Sequence, residues 1–153
     1  QEHIQNELAS FIANCDWEKI APHFKEDAAI GIGLAVAGEH YPQVEIAQKY
    51  FIENGDQGNS TVIGHQTKCS PRTAAFLNGI AGHVCELDDG HRTAIGHPGS
   101  IAVPTALALG EHLNASGADV LKAVILGYEV FSRLGRTVNP SHYRTWHTTG
   151  TCG

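Results

Sequence analysis

Residues 83–99 read His-Val-Cys-Glu-Leu-Asp-Asp-Gly-His-Arg-Thr-Ala-Ile-Gly-His-Pro-Gly and hold three carboxylates, Glu86, Asp88 and Asp89, with three imidazoles, His83, His91 and His97. These side chains hold, give or take a proton near neutral pH, and a glycine-broken loop lets several of them point into one cleft. Glu86 and Asp89 are three residues apart, as are Asp88 and His91, so residual helical geometry sets each pair on neighbouring positions of one face. A carboxylate beside an imidazole orients its tautomer and raises its basicity, which is what a general base needs. Gly96 and Gly99 flank His97-Pro98 and leave room for a ligand to approach the backbone. Further on, His147 follows Trp146 and precedes Thr148-Thr149-Gly150, repeating the pattern of an imidazole at the mouth of a helix.

Taken singly, these features are ordinary. Asp88-Asp89-Gly90 has the composition of a turn, and a histidine before proline is commonly a hydrogen-bonded structural residue. Clustering is what points to chemistry, because three carboxylates and two imidazoles fall within twelve residues, 86–97, with a third imidazole, His83, just before them. His23, His40, His65, His112 and His142 stand apart and read as surface or core residues. Arg133 and Arg136 read as solvated or paired. The clustered Asp, Glu and His side chains are also possible zinc or iron ligands. The chain has no His-x-x-x-His or His-Glu-x-x-His helix motif, however, so the expectation is a site with no metal and no other cofactor.

The elements that must position this stretch are helical. Ile4, Leu8, Phe11 and Ile12 recur at helical spacing and predict an amphipathic helix ending near Asn14. Pro22 suits a helical first turn, and the run from His23 through Val36 ends at Gly38, a natural left-handed cap. Pro42 opens a third helix, with Val44, Ala47 and Phe51 on one face and Asn54-Gly55 as its stop. Residues 61–63, Thr-Val-Ile, are β-branched and predict a short extended segment without a sheet. Ser70-Pro71 is an N-cap with proline at the first position, and the helix it starts is expected to run to about residue 87. Ala74, Ala75, Gly79, Ala81 and Gly82 give it a small-residue face that lets another backbone approach, which predicts a central place in the core.

Residues 100–113 read as the next helix, with Pro104 tolerable near its first turn. After the break at 114–117, Ser116 and Asp119 form an acidic variant of the capping box. Val120, Val124, Gly127, Phe131, Leu134 and Val138 then follow at steps of four and three, up to Asn139-Pro140. The short connection predicts that this long helix folds back antiparallel on its predecessor. Glu86–Asp89, His91, His97 and His147 are therefore expected on one concave surface.

Composition limits the function classes. The chain has 153 residues, 42% hydrophobic and 17% charged, as one soluble globular domain would. Its apolar runs are too short to span a bilayer. A net charge of −6 without a Lys/Arg run speaks against nucleic acid as a partner. Cys15, Cys69, Cys85 and Cys152 are scattered, with no Cys-x-x-Cys pair and no secretory leader, so reduced thiols in a cytoplasmic protein are expected.

Five ordered motifs resemble a known family. They are Glu86-Leu87-Asp88-Asp89-Gly90-His91, then Gly96-His97-Pro98-Gly99-Ser100, then Val103-Pro104-Thr105-Ala106-Leu107-Ala108, then Gly127-Tyr128-Glu129-Val130 with Arg133, and last Trp146-His147-x-Thr149-Gly150. In order and spacing they resemble the MmgE/PrpD family, which includes 2-methylcitrate dehydratase, cis-aconitate decarboxylase and iminodisuccinate epimerase. Glu86 stands where an Asp is commoner in that family.

The resemblance implies an all-α, multi-helix domain, of which residues 1–153 would be the N-terminal part, without the smaller α+β lid domain. It also implies a homodimer and metal-free lyase or isomerase chemistry on small di- or tricarboxylates, by dehydration, decarboxylation or epimerisation. Carried over by position, the catalytic groups are His97, His147 and an acid, Glu86 or Asp89. Asp88, His91 and Arg92 are expected to bind substrate. Family members are much longer, so a complete site is not expected from this piece alone. The competing expectation is a non-catalytic helical binding or oligomerisation module.

Overall fold

The computed structural model describes residues 2–20 and 31–153, and within them the chain is all-α apart from one two-stranded ladder. The helices are α1 (Glu2–Ala13), α2 (Gly31–Gly38), α3 (Pro42–Glu53), α4 (Pro71–His83), α5 (Gly99–Leu113), α6 (Gly117–Val138) and α7 (Thr148–Cys152). Strands β1 (Ser60–Thr61) and β2 (Lys68–Cys69) lie between α3 and α4. The expected start of the second helix at Pro22 and His23 lies outside the described residues; it ends at Gly38, where the sequence puts it, but Gly38 does not take the expected left-handed conformation. No helix among the described residues is long and apolar enough to cross a membrane. All four cysteines are free.

Helix α4 occupies the centre. Its Ala74 and Leu77 pack with Val62, Cys69 and Ala108, while its Ala81 packs with Ala35 of α2 and Val44 of α3. The small residues let neighbours come to backbone contact. A Cβ on Gly38 would stand 1.8 Å from the Ala81 carbonyl oxygen, so α2 ends directly on the α4 main chain. Gly79 likewise faces the Ser100 carbonyl of α5, 2.9 Å from where a Cβ would be. That carbonyl is the one a residue at 104 would normally bond, and Pro104 has no N–H to offer it. The α4 start is fixed by Ser70, whose hydroxyl accepts from the Thr73 N–H and donates to the Asp56 carboxylate. Its end comes at His83, four residues before the expected 87.

Helices α5 and α6 are joined by Asn114 in the left-handed region (φ 53°, ψ 39°) and by the Ser116–Asp119 cap. The Asp119 N–H donates to the Ser116 hydroxyl at 3.2 Å, and that hydroxyl donates to the Asp119 carboxylate at 2.7 Å. Contacts pair Gly110 with Val120, Ala102 with Gly127, Gly96 with Phe131 and Ala94 with Gly135. The descending and ascending numbers show the antiparallel return. On α6, Val124 and Phe131 are buried as expected, but Leu134 is 37% exposed and Gly135 takes the inward place. A step of four from Phe131 keeps the helix facing the Ala94 loop, and only a glycine fits there: a Cβ would lie 3.0 Å from the Ala94 carbonyl oxygen. Arg133 pairs with Glu129 at 2.8 Å and lies 4.9 Å over the Phe11 ring, linking α1 to α6.

The extended segment differs from expectation. Ser60 pairs with Cys69 and Thr61 with Lys68, an antiparallel ladder where the sequence predicts a short extended segment at 61–63 without a sheet. Two-residue strands carry no alternation to read, and this ladder depends on α5 rather than on its own propensity. The Glu111 carboxylate accepts from the Thr61 N–H at 2.6 Å, from the Thr61 hydroxyl at 2.9 Å and from the Lys68 ammonium. The buried Ser60 hydroxyl donates to the Ala108 carbonyl at 2.7 Å.

The Lys68 hydrogen bond, with help from Thr61, holds the Glu111 carboxyl below its ordinary range. A carboxyl lowered in the folded state contributes stability that is complete above the unfolded value and is lost as pH falls through the folded one. Glu111→Gln is therefore expected to lower the free energy of unfolding by about 1 kcal/mol at about pH 7, and by visibly less at about pH 3. Urea unfolding of both proteins at the two pH values checks it; equal differences at both would show that the carboxylate charge contributes nothing.

Candidate active site

Two segments converge on Asp88, and a third stacks on one of them. Its side chain is 3% exposed, and its two carboxylate oxygens both lie 3.0 Å from Nδ1 of His83, the last residue of α4. His97, two residues before α5, places its Nδ1 3.5 Å from Asp88 Oδ2. That approach is close for charges but too long and misaligned for a hydrogen bond, and His97 Nδ1 is buried with no hydrogen-bond partner. The His83 and His97 rings lie 4.8 Å apart. His147 stacks on His97, with ring centroids 5.9 Å apart and planes 18° from parallel. Tyr143 leans against His147 at 5.3 Å.

Local chemistry explains how each imidazole is held. His147 caps α7, its Nδ1 accepting from the Thr149 N–H at 3.3 Å. The Thr149 hydroxyl accepts from the His97 N–H at 2.8 Å, so one threonine ties both histidines to α7. Ser100 donates to the His97 carbonyl at 2.9 Å. Behind them Asn139, the C-cap of α6, donates to the Ala94 carbonyl and, at 2.9 Å, to the hydroxyl of the fully buried Thr148, while its own carbonyl accepts from the Tyr143 N–H at 3.1 Å. A cavity of about 20 Å³, room for one water molecule, reaches Asp88 and Asp89 from between α4 and α5.

The remaining sequence candidates sit around this centre in different ways. Asp89 turns away from Asp88. Although much of the residue faces solvent, its Oδ1 points inward and accepts from the Gly99 N–H at 3.0 Å. Burial of that carboxyl raises Asp89 above the usual range, while the Gly99 N–H and the Tyr128 hydroxyl work to lower it. Glu86 is exposed, in the left-handed region (φ 53°), with Oε1 3.6 Å from His83 Nε2. His91 is spent on its own loop: its N–H donates to the Gly96 carbonyl at 2.8 Å and its Nδ1 accepts from the Ala94 N–H at 3.1 Å. Arg92 is exposed. The Asp88–His91 and Glu86–Asp89 pairs expected from helical spacing do not form, because the helix has already ended at His83.

His83 is the participant that periodicity missed. It stands five residues from Asp88, a spacing no regular helix brings face to face, and only the turn through Glu86 closes it. Its type and its place in the dense stretch were the available signal. His83, Asp88 and His97 also offer three ligand atoms within 4.8 Å of one another, a grouping capable of holding a metal ion.

Residues 6–153 match the family model of the MmgE/PrpD N-terminal domain. The chain belongs to the MmgE/PrpD family. Among similar proteins, a cis-aconitate decarboxylase-like protein, oryM, of Aspergillus oryzae is 33% identical over 127 residues, which are 77% of this chain and 26% of that protein. A cis-aconitate decarboxylase of Aspergillus terreus is 32% identical over 155 residues, 94% of this chain and 32% of the relative. The cis-aconitate decarboxylase of Mus musculus is 35% identical over 112 residues, 69% of this chain and 22% of its own length. The chain thus spans about a quarter to a third of the length of the first of these relatives.

Asn139→Ala removes one amide that serves two acceptors and one N–H, at the joint that sets both His147 and the Ala94 loop. Leaving the Ala94 carbonyl and the buried Thr148 hydroxyl unmatched is expected to cost about 2–3 kcal/mol. Urea unfolding measures this, and a loss below about 0.5 kcal/mol would show the joint to be dispensable.

Proposed function

We propose that this chain is part of an MmgE/PrpD-type lyase that acts on a small tricarboxylate by histidine proton chemistry, with decarboxylation of cis-aconitate the first reaction to test. The names of the relatives support the substrate class. The observation that carries the chemistry is the stacked pair His97 and His147, backed by the buried Asp88 carboxylate. Loss of carbon dioxide next to a carbon–carbon double bond leaves its electron pair spread over three carbons, and a proton must then be delivered to the far carbon. His97 and His147 are in this reading the proton donor and its partner. Asp88 lies 3.5 Å from His97 Nδ1, on the side of the ring away from the proton it would transfer through Nε2, and Thr149 and Ser100 hold the His97 backbone. Asp89, tied to the start of α5, positions the Gly99 end of the loop. Arg92 stands exposed at the rim, where it meets a substrate carboxylate, with Glu86 beside it as a counter-charge.

The cationic groups that hold the other substrate carboxylates belong, in this reading, to the rest of a longer protein, of which residues 1–153 are the N-terminal part of the helical domain. The piece alone is then inactive. Exposed Ile46, Tyr50, Phe76, Leu109 and Leu113 support burial against further protein, including a second copy in a cytoplasmic homodimer. The ligand is a small carboxylate and not a nucleic acid.

In the protein at its full natural length, His97→Ala and His147→Ala are each expected to lower turnover of cis-aconitate by about a hundredfold or more, with the circular dichroism spectrum unchanged. Carbon dioxide release measures it. Normal turnover in the double variant would exclude both histidines from the reaction.

A further inference from the structure

We infer that His83, Asp88 and His97 form a binding site for one divalent transition-metal ion of the zinc type, and that the bound ion inhibits the site rather than serving it. The donor set is two imidazole nitrogens and one carboxylate oxygen, which suits borderline ions such as Zn²⁺ or Co²⁺ over Mg²⁺ or Ca²⁺. The spacing is already close. Ligand atoms around a tetrahedral zinc at about 2.0–2.1 Å stand roughly 3.3 Å from one another. Here His83 Nδ1 is 3.0 Å and His97 Nδ1 is 3.5 Å from Asp88 oxygens, and all three ligand atoms fall within 4.8 Å. Small rotations of the two rings complete the triangle.

Two further observations point to a ligand there. His97 Nδ1 is buried, 3.5 Å from the Asp88 carboxylate and without a hydrogen-bond partner, so its lone pair or N–H is unspent in the folded protein. Glu86 Oε1 stands 3.6 Å from Nε2 of His83, and a side-chain shift of about half an ångström would let this second carboxylate orient a metal-bound imidazole through its other nitrogen. The chain anchors all three ligands independently of any ion: His83 by the end of α4, His97 by Thr149 and Ser100, and Asp88 by the loop between them. An ion held by three protein ligands keeps a fourth position open to solvent. Occupancy would take the His97 imidazole out of proton transfer, which is why the ion inhibits. The inference shares His97 with the proposed reaction but stands on the ligand geometry, and binding is measured without turnover.

The test is a Co²⁺ titration of the full-length protein freed of metal by chelator, followed by its visible d–d absorption, with Zn²⁺ displacement as competition. One equivalent of Co²⁺ per chain should bind with a low-symmetry spectrum. His83→Gln and His97→Gln should each weaken binding by at least about tenfold, and the exposed His112→Gln should leave it unchanged. Should a ligand variant fail to fold, the wild type decides: Zn²⁺ should protect His83 and His97, but not His112, from carbethoxylation mapped by mass spectrometry. Absence of saturable Co²⁺ binding, binding unaltered in both variants, or no selective protection would each overturn the site. Where turnover is measured, Zn²⁺ should inhibit it and chelator restore it; stimulation by Zn²⁺ would overturn the inhibitory role.

Discussion

A carboxylate that is only 3% exposed needs a hydrogen-bond partner, and at Asp88 the His83 imidazole supplies it at 3.0 Å while a second imidazole, His97, stands 3.5 Å away. Much of the local structure follows from this. One imidazole, His83, terminates α4; the other, His97, precedes α5. To bring both to a residue between them, the chain must leave α4 early, pass through a left-handed Glu86 and recross itself within the tight 91–96 turn, where Ile95 is also left-handed. The turn buries Ala94 completely, and Ala94 in turn demands a glycine at 135 on the helix that closes over it. Asp88 thus sets the spacing of three helices without belonging to any of them.

The helical frame was legible because its signals are local. Ser70-Pro71, Pro42, Ser116 with Asp119, and Asn114 each act within a turn of their own position, and each marks the boundary it was read to mark. The antiparallel return of α6 followed from the shortness of the connection. What was not legible depended on partners far away in sequence. Lys68 and Thr61 are drawn together by Glu111, more than forty residues on, and nothing in a two-residue strand announces that. The residues after His83 have no breaker, so helical spacing carried α4 to 87; the Asp88–His83 contact stopped it. Leu134 suited the apolar stripe by type and lost its place to Gly135 by fit.

For the candidate site, residue types were readable and geometry was not. His97 and His147, fifty residues apart, do meet, because α6 runs back along α5 and returns the chain to the loop. His91 and Arg92, which the sequence offers as substrate-binding rather than catalytic groups, do not join them. The first is consumed by the backbone groups of its own turn, and the second faces outward. His83 became visible only through the loop that folds Asp88 back onto it.

The antiparallel pairing of α5 and α6 has a consequence for the order of assembly. The α4 to α5 unit closes over short sequence distances, so the His83–Asp88–His97 cluster can form as soon as those two helices exist. The stack on His147 cannot. It waits for the whole of α6 to be laid down and for Asn139 to lock the returning segment, which makes it a long-range contact of high closure entropy. On a ribosome the chain therefore passes through an interval in which its buried carboxylate is already satisfied while His97 still has an open face. The second imidazole completes a centre whose first half was built without it.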